Sequence, residues 1–261
     1  MTPNTETLLE TIDPELMERV VSRRDALGSV SKRTLAVAMA SAPLALGVLA
    51  KNAFAQGGLP QGIKDVLNYA LTLEYLEAEF YNLGLAAANL IPSATRPVFQ
   101  QIAKHENAHV ALLRATLGAD AVAKPTFDFT AGGAFADVFT NYQTYLVLSQ
   151  GFEDTGVRAY KGRAAELKSN DAILTIALQI HSVEARHASK VRRLRGQKGW
   201  ITSNTTDVAA LAAVYAGDEV TTQAGINTAA FVNAAAASEA FDEPLTAQAV
   251  LAIAGMFIVS T

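Results

Sequence analysis

A glutamate and a histidine stand three residues apart in an otherwise apolar helical seam, and the chain does this twice. From Ile173 to Leu194, positions taken at alternating steps of four and three read Ile173, Ala177, Ile180, Glu184, His187, Val191 and Leu194. That is the inward row of a helix packed in a bundle. Upstream, Phe99, Ile102, Glu106, His109 and Leu113 keep the same spacing. A carboxylate in such a seam costs on the order of several kcal/mol unless something compensates it. Glu and His three apart project from one helix face about one turn apart. Each pair can therefore reach one shared partner, and a divalent ion is such a partner; polar core residues satisfied by one another are the plainer alternative.

Two further helical stretches each carry an isolated inward acid, Glu74 in LTLEYLEAEFY and Glu153 in LSQGFEDTGVRAY. Each is followed seven residues later by a tyrosine, Tyr81 and Tyr160. Glu74 to Glu153 and Tyr81 to Tyr160 are both offset by 79 residues, while Glu106 to Glu184 and His109 to His187 are both offset by 78. Two helix pairs thus repeat with one residue of slippage, which implies a pseudo-twofold arrangement. Two matched pairs and two matched acids favour a metal site over satisfied polar core positions far more than one Glu-x-x-His would.

The expected ligand set is Glu74, Glu106, His109, Glu153, Glu184 and His187. Four carboxylates and two neutral imidazoles can hold two divalent ions with bridging carboxylates, and oxygen-rich ligation with two nitrogens suits iron or manganese. Zinc can occupy such a site in purified protein. Glu77 lies on a neighbouring apolar row, Val66, Ala70, Leu73, Glu77 and Phe80, and competes with Glu74 as ligand. Glu74 is preferred because Glu153 is its repeat mate, whereas Glu77 falls opposite Gly156. Glu77, His181 and Tyr160 are candidates for roles around the ligands, with Glu77 or His181 available to relay protons. Tyr81 and Tyr160 read most simply as core aromatics whose hydroxyls bond a ligand carboxylate across the bundle. His105 points about 100° away from Glu106 and is placed outside the ligand shell.

The segments LTLEYLEAEFYNLG, KHENAHV, FEDTGVRAYKG and QIHSVEARHAS resemble the ferritin-like domain of plant desiccation-related proteins and their exported bacterial relatives. The resemblance covers about residues 62 to 196. It implies an all-α, ferritin-like four-helix bundle with one long crossover, holding a di-metal carboxylate centre built from one Glu on each of two helices and a Glu-x-x-His on each of the other two. Related bundles store iron, oxidise ferrous iron, consume peroxide or oxygenate substrates, so the fold leaves the reaction open.

Around this domain the chain divides into residues 1–56, 57–196 and 197–261. The first part reads as a twin-arginine export signal: Ser22-Arg23-Arg24, then Lys32-Arg33, the uncharged run Thr34 to Ala50, and Ala53-Phe54-Ala55 as cleavage site. Asp25 and Ala26 depart from the usual residues after the arginine pair. A retained membrane anchor or a helix packed on the bundle are the alternatives for the apolar run. Export implies a periplasmic or cell-envelope location, with no stable membrane insertion after cleavage.

The bundle helices are expected at about 63–89, from Pro97 to Leu117, 135–165, and from an Asn170 cap to Gly196. Residues 119–133 form the crossover, tucked down by Phe127 and Phe129. The tail is expected to add two or three short helices that cover the bundle or form a subunit contact. A formal net charge of −4 argues against nucleic acid as the main partner; the basic run at 190–198 is read as complementing a helix C-terminus. The absence of cysteine removes thiolate metal sites and disulfides. The expected partners are metal ions and small oxidants, with a homo-oligomer allowed. Two functions follow: a redox protein acting on peroxide, dioxygen or ferrous iron under stress, or a stress-protective structural protein whose metal site only ties helices together or is vestigial.

Overall fold

The computed structural model describes residues 58–259. The export-signal reading at 1–56 falls outside them. Four long helices dominate: α1 (Gln61–Ala86), α2 (Arg96–Leu117), α3 (Tyr142–Arg163) and α4 (Asp171–Leu194). α1 packs chiefly on α2 and α3 on α4, and the two antiparallel hairpins meet along α1 and α3. The segment from Gly118 to Asn141 crosses from one hairpin to the other, as a one-crossover ferritin-like bundle requires.

Local chemistry sets the helix ends. Pro97 lies in the first turn of α2, where its missing N–H costs nothing. Asn141 and Asn170 cap α3 and α4 by accepting hydrogen bonds from the Gln143 and Ile173 amides. Gly118 and Gly196 follow α2 and α4 with φ of 59° and 74°, the left-handed geometry that ends a helix. The expected start of the third helix near residue 135 is corrected to Tyr142. Residues 130–140 form turns even though Phe135 and Val138 are buried, because they face the core from a folded-back loop rather than from a helix. The first helix likewise ends at Ala86 rather than near Asn89, where φ turns positive at 59°.

The core is split. One apolar cluster gathers Ile63, Val66, Leu67, Leu71, Leu113 and Ile173 at one end of the bundle. A second, aromatic-rich cluster holds Phe80, Tyr81, Phe99, Tyr145 and Phe152. Gly84 permits part of this packing, since a Cβ there would collide with the Tyr145 ring. Between the clusters lies a layer of acids and imidazoles.

After α4 the chain forms α5 (Ala212–Tyr215), a two-residue antiparallel ribbon of β1 (Thr222–Gln223) and β2 (Ile226–Asn227), α6 (Ala234–Glu239) and α7 (Ala247–Gly255). The ribbon has no apolar alternation and was not expected. This extension is pinned to α3 by two buried polar knots. Asp154 accepts two hydrogen bonds from Arg192, at 2.9 and 2.6 Å, and one from the Tyr215 hydroxyl at 2.8 Å. Arg158, fully buried, donates to the carbonyl oxygens of Glu243, Val214 and Ala216. The crossover joins the same face: Asp128 N–H donates to the Phe257 carbonyl and Val259 N–H to that of Thr126. Phe129 is buried in the aromatic cluster, and Phe127 packs against it. No helix among the described residues is long and apolar enough to cross a membrane.

Candidate metal centre

Because the seam rows face inward, all six expected ligands meet in the layer between the two apolar clusters. Glu74, Glu106, Glu153 and Glu184 are each 0 % exposed. Their donor atoms fall into two overlapping groups, Glu74, Glu106, His109 and Glu184 in one, and Glu106, Glu153, Glu184 and His187 in the other, with all ligand atoms of a group within 4.8 Å of one another. Glu106 and Glu184 belong to both. The two acids of the Glu-x-x-His pairs therefore lie between two potential ion positions, and Glu74 and Glu153 lie at the outer ends. Each position draws on three carboxylates and one imidazole, the pseudo-twofold plan legible in the repeat.

The tyrosines do what their spacing suggested. Tyr81 donates to Glu153 Oε1 and Tyr160 to Glu74 Oε1, both at 2.5 Å. Each hydroxyl comes from the helix across the bundle and holds the carboxylate of the repeat mate of the acid seven residues before it. Gly156, the repeat counterpart of Glu77, leaves space at the centre: a Cβ there would lie 3.3 Å from Glu77 Oε1 and 3.5 Å from Glu184 Oε2. Glu77 is buried against this gap but stands outside both ligand groups. It also lines a void of about 10 Å³ with Leu73, Phe152, Thr155 and Ile253, which is about the size of one water.

Proximity without hydrogen-bond alignment is the signature of the centre. His187 Nδ1 lies 2.9 Å from Glu106 Oε1 and 3.2 Å from Glu153 Oε2. His109 Nδ1 lies 3.2 Å from Glu184 Oε1. Yet His187 Nδ1, Glu106 Oε1, Glu153 Oε2 and both Glu184 oxygens have no properly directed hydrogen-bond partner. Buried polar atoms are nearly always paired. Here five donor atoms lie close together without an aligned partner, while His109 Nδ1 bonds Glu74 and Glu106, and such crowding of donors suits cations. No Lys or Arg side chain among the described residues pairs with these acids.

The electrostatics agree. Burial pushes the Glu74 carboxyl up to about 8, against the pull of His109. Burial, and then the repulsion of Glu184, Glu106, Glu153 and Glu74, raises Glu77. Glu153 is also raised by burial, partly offset by His187. Burial alone would depress both imidazoles. The carboxylates overcome it, raising His109 and lifting His187 to about 12. Too many acids share too few cations; divalent ions would supply the missing positive charge and release the imidazoles as neutral ligands. The residues present thus fit metal ions that favour oxygen-rich ligation.

The other two histidines stand outside both ligand groups. His181 does not join the centre: it belongs to neither ligand group, and its Nε2 is buried without a partner. It stands about 100° round the helix from Ile180 of the inward row, enough to turn the ring aside. His105, placed outside, is one hydrogen bond from a ligand, with its Nδ1 2.8 Å from His187 Nε2. The rings are stacked, with centroids 5.1 Å apart. Its direction away from Glu106 was read correctly, but that direction faces α4. The basic run at 190–198 does more than complement a helix end, since Arg192 is buried on Asp154 and Arg195 donates to Gln150 and Asp207.

A bundle with its two hairpins joined by one crossover and a buried carboxylate–imidazole layer at mid-height defines a ferritin-like architecture. Residues 63–197, just over half of the chain, match the family model described as a ferritin-like domain, and the chain belongs to that family. A search of curated proteins found no match.

Proposed function

We propose that the protein binds two divalent ions, iron or manganese, and is redox-active toward peroxide, dioxygen or ferrous iron. The observation that carries this reading is the convergence of six buried donors from four helices, five of whose atoms face one another without hydrogen-bond alignment. Such a pair of ions, when bound, supplies a two-electron redox couple and open positions for a small oxidant.

The chain's own residues have separable tasks. Glu106 and Glu184 would help to hold both ions, and His109 and His187 one each. Tyr81 and Tyr160 fix the rotamers of Glu153 and Glu74, which keeps the outer carboxylates from swinging away. Glu77, whose carboxyl is pushed up by burial and by the acids around it, faces the gap at Gly156 and the adjoining void, where it can exchange a proton with a small molecule. That void, walled by Glu77 and Gly156 but by none of the six ligands, is about the size of one water and too small for an organic substrate. The larger clefts, of about 490 and 440 Å³, are likewise lined by none of the six ligands.

Export to the periplasm or envelope, a role in drying or oxidative stress, and assembly as a homo-oligomer extend this reading. The twin-arginine pair supports the first and the resemblance to desiccation-related proteins the second. Elemental analysis of protein from its native host, followed by a peroxide-consumption and ferrous-oxidation assay, tests the core reading. Two equivalents of iron or manganese and turnover abolished by Glu184→Ala are expected. Fully loaded protein that consumes neither peroxide nor ferrous iron would instead mark the ions as structural ties.

A further inference from the structure

We propose that His105 is a positioning residue for His187 and that it makes the two ion positions unequal. The inference rests on the metal reading above and goes beyond it by breaking the twofold plan. His187 turns Nδ1 toward Glu106, Glu153 and Glu184. With Nδ1 as the metal-binding atom, the ring proton sits on Nε2, which donates to His105 Nδ1 at 2.8 Å. His105 must then carry its own proton on Nε2, 2.5 Å from the Gln101 side-chain amide. The Gln101 amide accordingly turns its oxygen toward the ring, an orientation assigned from the network.

A chain of two hydrogen bonds thus fixes the tautomer and ring plane of His187 from the surface of α2. Outer partners of this kind raise ligand basicity and orient the ring. The other half of the bundle has no equivalent. The repeat counterpart of His105, 78 residues on, is Val183, whose side chain neither donates nor accepts. His109 makes its hydrogen bonds through Nδ1, to Glu74 and Glu106, and its Nε2 has no protein partner among the described residues. The position served by His187 is therefore the preorganised one.

The test is a manganese(II) titration of the full chain by calorimetry, with stoichiometry checked by elemental analysis. Wild type is expected to bind two ions with distinguishable affinities. His105→Leu should weaken one of them by about 10- to 100-fold and leave the other within about twofold. His105→Asn, whose Oδ1 can take the place of Nδ1 as acceptor, should restore most of the loss. His105 is only partly buried, so both variants should fold, and matching melting curves of the metal-free proteins would verify it. Equal weakening of both positions, or no change in either, overturns the positioning role while leaving the metal centre standing. A wild-type chain that takes up no manganese, and no iron(II) in a parallel anaerobic titration, overturns the metal reading itself and the role of His105 with it.

Discussion

Loss of Glu184, as of Glu106, should be felt at the whole centre, because each belongs to both ligand groups whereas Glu153 belongs to one. Elemental analysis of Glu184→Ala should therefore find neither ion, and of Glu153→Ala about one equivalent. The same acids set a pH dependence in the metal-free protein. Glu74 is raised from an ordinary value of 4.5 to about 8 by burial. A carboxyl raised on folding contributes stability that is complete below about 4.5 and is lost as pH climbs through about 8. Melting temperatures of the metal-free chain should fall between pH 5 and 8, and bound metal, which requires the ionised form, should abolish that fall. Seam positions such as Glu74, Glu106 and Glu184 were legible because a helix period assigns a face directly. His105 was rightly placed outside the ligand groups, but its contact with His187 was not legible, because the period says where a side chain points on its own helix and not what the neighbouring helix brings there.

α3 does the most at the level of elements: one face supplies Glu153 to the centre, and another anchors the C-terminal extension. Arg158 sits at that second face with its guanidinium shared among three carbonyl oxygens and 3.7 Å from Asp218. Replacing it by Met would leave those groups buried without a donor, at a cost of about 3–5 kcal/mol, read as a lower denaturation midpoint. Nearby, a Cβ at Gly162 would collide with the Leu245 carbonyl oxygen. Gly162→Ala should lift the segment before α7 and destabilise by about 1–3 kcal/mol, with faster hydrogen exchange at the Leu245 amide, which donates to the Arg158 carbonyl. The early start expected for α3 failed for a reason visible in Phe135 and Val138. Apolar residues in a turn that folds back on the core mimic helical periodicity, while Asn141, the true cap, carries a weaker signal.

For the molecule as a whole, the centre sits where the two apolar clusters would otherwise join into one core. A continuous apolar layer there would favour the folded state more than unpaired acids do, so the ions are expected to be part of the fold's stability. Ligand linkage gives about 4 kcal/mol at a free metal concentration a thousandfold above Kd. Loaded protein should accordingly melt well above chelator-treated protein, and re-adding manganese or iron should restore the difference; equal melting temperatures would argue against ions at this layer. The extension contributes to the same balance, since Asp154, next to Glu153, is tied through Arg192 and Tyr215 to the tail.

By itself the sequence determined the four helices, their inward rows, the repeat, and the six groups that meet at mid-bundle, because each follows from local periodicity and from the cost of burying an uncompensated charge. Only the tertiary structure decided that Glu106 and Glu184 are shared, that Glu77 stays aside at the Gly156 gap, that His105 supports His187, and that buried Asp154 and Arg158 fasten the tail. Those are relations between residues far apart in the chain, and they depend on how helix faces rotate and interlock, which no single stretch of residues encodes.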